Sequence, residues 1–116
     1  MVGLAVPFAA QAAAPPLPPA AKTVTVPCPD GTAMVQLRSG PLPRGVNVVV
    51  RSGDRIVGTV APFGVRNGGA GTYVFPLPAG LAHDGKVALT LSRTEVGVAD
   101  RAPSDQEVEA VSVVCR

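Results

Sequence analysis

The sequence predicts an all-β domain, a two-sheet sandwich of about seven strands closed by one disulfide. Three observations lead there. The apolar residues are mostly Val, Leu and Ala, with three Phe, one Tyr and no Trp. Valine is β-branched, stiff in helices and suited to a pleated surface. Thirteen Pro and thirteen Gly cut the chain into short elements. Two cysteines, Cys28 and Cys115, bracket the folded part. A chain of 116 residues has room for one domain with a single core.

Seven segments carry strand character. Lys22 to Pro27 alternates Val24 and Val26 with Thr23 and Thr25, the period-two mark of a half-buried strand. Thr32 to Arg38 follows a Pro-Asp-Gly turn. Val46 to Arg51 sets Val46, Val48 and Val50 on one face, and Ser52-Gly53-Asp54 turns it into Arg55 to Ala61 as a hairpin. Gly71 to Leu77 aligns Tyr73 with Phe75, and Lys86 to Ser92 aligns Val87, Leu89 and Leu91. The last strand, Glu107 to Val114, runs into Cys115. Regular turn signals between these strands predict an immunoglobulin-like sandwich. The tryptophan that packs on the bridge of antibody domains is missing, which points to another sandwich lineage or a small open barrel. Pro76 lacks a ladder donor and places its strand at an edge. Gly58 marks a bulge or a close approach by another backbone.

Residues 1–14 read as a signal-peptide-like apolar leader, with Ala10-Gln11-Ala12 matching an A-x-A cleavage site. The run is too short to span a bilayer, so no stable membrane span is expected. No Lys or Arg precedes it, and a disordered Ala/Pro-rich tail of a cytosolic protein is the alternative. Residues 15–21 form a Pro/Ala-rich polyproline II spacer, and 22–116 the sandwich domain. An even cysteine count in a small exported chain reads as a bridge, against two buried free thiols in a cytosolic one. The expected location is secreted or periplasmic.

Ten Lys and Arg against eight Asp and Glu give a net charge of +2, scattered singly. No basic row matches a phosphate backbone and no aromatic pair offers a base-stacking platform, so nucleic acid is not an expected partner. His83, the single histidine, precedes Asp84-Gly85 in a turn and cannot complete a metal site alone. Met34 reads as core filler. Asp30, Asp54, Asp84 and Asp100 fall at expected turns or loops, where Asp caps backbone amides. There is no CxxC pair and no Gly-x-Ser-x-Gly elbow. The cluster from Arg66 to Gly71 is glycine-rich without the strand-to-helix setting of a phosphate cradle, and reads as a flexible turn. The reading is a non-enzyme with no cofactor and no metal, whose oligomeric state is left open.

Two loops are candidates for recognition. In Pro62 to Ala70, Phe63, Arg66 and Asn67 stand among small residues, the composition of a contact point for a protein or carbohydrate. The alternative has Phe63 folding back to plug the end of the sandwich. The other, Arg93 to Gln106, is a long polar stretch.

The order of parts from Val46 to Leu91 carries a resemblance. A valine strand leads into Ile56-Val57-Gly58-Thr59-Val60-Ala61-Pro62-Phe63-Gly64, a Gly-rich link, Tyr73-Val74-Phe75 and then Val87-Ala88-Leu89-Thr90-Leu91. This resembles the small β-sandwich domain that follows the copper domain in tyrosinase and polyphenol oxidase proteins. The family's copper-binding histidines have no counterpart here. The resemblance implies a structural, accessory or shielding module of a larger assembly such as a copper oxidase, and not an oxidase.

Overall fold

The computed structural model describes residues 18–28, 32–62 and 66–116. They form two antiparallel sheets packed face to face. The strands are β1 (Ala20–Thr25), β2 (Ala33–Ser39), β3 (Val46–Ser52), β4 (Arg55–Val60), β5 (Gly71–Pro76), β6 (Lys86–Glu95), β7 (Val98–Arg101) and β8 (Val108–Cys115). One sheet has the order β1-β6-β3-β4, with β7 pairing the end of β6 beyond β1, and the other is β5-β2-β8. The layered architecture is that of an immunoglobulin-like sandwich, with a connectivity different from the antibody order ABED against CFG.

Periodicity explains the core. Val46, Val48 and Val50 on β3 and Val87, Leu89 and Leu91 on β6 point inward and are buried. They meet Val35 and Leu37 of β2 and Val113 of β8. Side chains of this kind contribute about 1.5–3 kcal/mol each when fully buried. Few aromatics are needed because two valine-lined faces interdigitate across a thin layer.

The two open sides of the sandwich are closed differently. On the β1–β8 side, Cys28 and Cys115 are bridged with a Cα–Cα distance of 5.6 Å, tying the first strand to the last across a separation of 87 residues. On the β4–β5 side, the Phe75 ring lies over Gly58, where a Cβ would come within 2.3 Å of it. The register passes from Val50↔Gly58 to Arg51↔Ile56, so Val57 is the extra residue of a bulge. Gly58 therefore adjoins the expected bulge, and the close neighbour is an aromatic side chain where another backbone was expected.

Other expectations need correction. The stretch Arg93 to Gln106 is not one loop: β6 continues to Glu95, Val96-Gly97 make a turn, and β7 follows, so the described residues form eight strands. Asp100 accordingly sits on a strand. The first strand begins at Ala20, inside the expected spacer, with Ala20 opposite Leu91. Glu107 belongs to the turn before β8. Among the described residues β5 pairs only β2, so Pro76 lies on an edge strand there. No helix among the described residues is long and apolar enough to cross a membrane.

Candidate functional site

The sandwich has two ends. The disulfide end gathers Cys28, the Gly53-Asp54 turn, the β5–β6 connection and Cys115. The distal end gathers the β2–β3, β4–β5 and β6–β7 connections and the segment leading to β8.

The sequence-predicted recognition loop is at the distal end. Phe63 lies outside the described residues, and Arg66 and Asn67 are placed by their backbone in a 3-10 turn, Arg66–Gly69. The base of this loop is fixed. The Leu42 N–H donates to the Gly68 carbonyl at 2.9 Å. The Tyr73 hydroxyl donates to the Gly69 carbonyl at 2.5 Å. That bond, from a strand tyrosine back to a carbonyl a few residues upstream, has the form of the tyrosine corner of β-sandwiches. Glycine is required at both positions: Gly68 has φ +59° with the Leu42 carbonyl oxygen 2.7 Å from where a Cβ would sit, and Gly69 has φ +77°. The expected flexible turn is therefore an anchored one over residues 66–71. Leu42 itself is buried in the core, so an apolar plug for this end comes from the β2–β3 connection.

Beside it is an ionic knot that sequence reading missed. Glu107 is buried. Its carboxylate accepts from Arg93 Nε at 2.8 Å and from the Ser104 N–H at 2.8 Å, with Arg101 Nη2 at 3.5 Å. Ser104 Oγ accepts from the Glu107 N–H at 3.2 Å, completing a reciprocal box. The Glu107 carbonyl accepts from the Gly40 N–H and from Ser39 Oγ. One residue thus joins β6, β7 and the end of β2. Burial pushes the Glu107 carboxyl up, but the Ser104 amide, the Arg93 hydrogen bond and the Arg101 charge outweigh it and hold it below its ordinary value. The Arg93 guanidinium is held above its ordinary value, first by the Glu107 hydrogen bond, against desolvation and with help from Glu95. The signal was present as Ser104-x-x-Glu107, a pattern that announces a helix start and here closes a turn before a strand.

Between the knot and the β2–β3 connection, Gly45, Asn47, Thr94, Glu95 and Val96 line a shallow groove of about 240 Å³. Val96 stands fully exposed at the tip of the β6–β7 turn, and Val98 is half exposed.

At the disulfide end, His83 and Lys86 exchange backbone hydrogen bonds at 2.7 and 3.0 Å around Asp84-Gly85, both with positive φ, as in a type I′ turn. His83 is exposed there, while Asp100 is on β7 toward the distal end, so the two are not brought together. Thr23, Ser52, Leu81, His83, Lys86 and Ala88 border an open groove of about 410 Å³. No group of three or more His, Cys, Asp or Glu positioned to hold a metal ion occurs among the described residues.

No family model, curated protein or solved structure matches this chain.

Proposed function

We propose that the chain is an exported, non-catalytic binding module that recognises a protein or carbohydrate through loops at the distal end of its sandwich. The observation that carries this reading is the anchored base of the β4–β5 loop. Hydrogen bonds from Leu42 and Tyr73 fix the Gly68 and Gly69 carbonyls on a closed scaffold, and Phe63, Arg66 and Asn67 belong to the same loop by sequence. Recognition residues on loops held by a rigid frame lose less freedom on binding. Export is supported by the apolar leader and by the bridge, a bond that persists in oxidising compartments.

The test is affinity capture from the organism's own culture fluid and cell envelope, followed by mass spectrometric identification. The domain and its Phe63→Ala/Arg66→Ala variant serve as parallel baits. The reading expects a partner retained by the first and depleted with the second. A partner held equally by both overturns the loop assignment.

A second reading, a structural or shielding module of a larger assembly such as a copper oxidase, is favoured by one feature. Among the described residues, β8 has no strand beside it on the side away from β2.

A further inference from the structure

Sheet edges invite pairing with other chains, and three edges here carry devices that discourage it. On β1, Lys22 occupies a register position opposite the buried Leu89 yet is exposed, placing a charge on the core-facing side of the edge. β4 is bulged at Val57. β5 ends in Pro76, which has no N–H. β8 differs. After an irregularity at Glu109 it runs from Ala110 to Cys115 without a charge, a Pro or a Gly.

The direction of its main-chain groups follows from the ladder. The Arg116 N–H donates to the Thr32 carbonyl at 2.8 Å, whereas the Ala33 carbonyl accepts from Leu77 on the β5 side at 2.9 Å. Alternate residues of a strand direct their groups to opposite neighbours. Ala110, Ser112 and Val114 therefore face β2, and Val111, Val113 and Cys115 direct N–H and C=O outward. Among the described residues, β8 has no second strand to receive them.

We propose that this edge pairs with a second copy of the chain, β8 against β8 antiparallel across a two-fold axis, merging two three-stranded sheets into one of six. The edge is self-complementary. With Val113 opposite Val113, Val111 falls opposite Cys115 of the second copy, and the outward groups meet in hydrogen-bonded pairs. The same register sets Arg116 opposite Ala110 of the second copy at both ends of the pairing, beside Glu109, whose carboxylate already accepts from Arg38 Nε of its own chain at 2.9 Å, so each Glu109 would stand near two arginines. The uncharged run between them brings no like charges together. A strand pair of this length buries well under the standard interface of about 1,600 Å², so association is concentration-dependent. This surface is independent of the distal loops.

The test uses the whole protein in sedimentation velocity across a concentration series, with amide exchange by NMR at both extremes. A dimer should grow in with concentration, and the Val111 and Val113 amides should exchange more slowly in it than in the monomer. Ser112 is exposed, so Ser112→Lys should weaken dimerisation several-fold at an unchanged melting temperature, with Ala110→Lys as the substitute if it does not fold. A monomer at every concentration up to about 1 mM overturns the proposal. So does a dimer whose Val111 and Val113 amides remain unprotected, or one indifferent to the added lysine.

Discussion

Phe75 occupies the volume that a side chain at Gly58 would need: a Cβ there would lie 2.3 Å from Cδ1 and 2.4 Å from Cγ of the ring. The contact links the outer strands of opposite sheets, β4 and β5, on the side that has no disulfide. Overpacking at such a place costs about 1–3 kcal/mol. Gly58→Ala should lower the melting temperature by several degrees in a thermal scan. In the Phe75→Leu background the same substitution should cost less, because the smaller side chain leaves room.

The sulfur bridge should account for more. Closing 87 residues restricts the unfolded chain by about 4–5 kcal/mol in the loop-entropy view. Replacing both cysteines with Ser should lower the unfolding free energy by that amount in a urea titration followed by circular dichroism. A shift under about 1 kcal/mol would show that the unfolded chain is already restricted there.

The Glu107 knot predicts an acid limb. The folded carboxyl lies below its ordinary value of 4.5. The stability it contributes is therefore complete above that ordinary value and is lost as pH falls through the lowered folded one. Glu107→Gln keeps the shape but removes one of the two carboxylates paired with Arg93, leaving it Glu95 alone, and should cost about 1–3 kcal/mol at neutral pH. The variant's stability should also fall less steeply than that of the parent below the ordinary carboxylate range. Denaturant titrations at a series of pH values check both.

Tyr73 offers a smaller and more local effect. Tyr73→Phe removes the hydroxyl that holds the Gly69 carbonyl and should cost about 1 kcal/mol. Amide exchange should accelerate most near residues 68–71.

Much of this fold was legible in the sequence because its signals are periodic or singular. Val46, Val48 and Val50 announce their face by alternation, Pro76 announces an edge by the donor it lacks, and Gly58 announces crowding by its missing side chain. β7 gave no such signal. Its four residues, Val98 to Arg101, are mostly exposed, so they carry no alternation, and it forms because the Val96-Gly97 turn delivers it to β6. The ionic knot was hidden for a different reason. Arg93, Arg101 and Glu107 are individually unremarkable charges, and only the pairing of two strands with a turn brings them together. The candidate loop was picked out by composition, whereas its anchors gave no signal of that role: Leu42 stands outside every strand read from the sequence, and Tyr73 showed only its alignment with Phe75.

A closed valine sandwich should carry the β4–β5 loop without help from that loop's side chains. The melting temperature of the Phe63→Ala/Arg66→Ala variant tests it most directly. A value within about 1–2 °C of the parent is expected, since substitutions that leave a core intact rarely exceed about 0.5 kcal/mol. A fall of ten degrees or so, the signature of a lost core aromatic worth about 3 kcal/mol or more, would make Phe63 part of the plug at the distal end and contradict it.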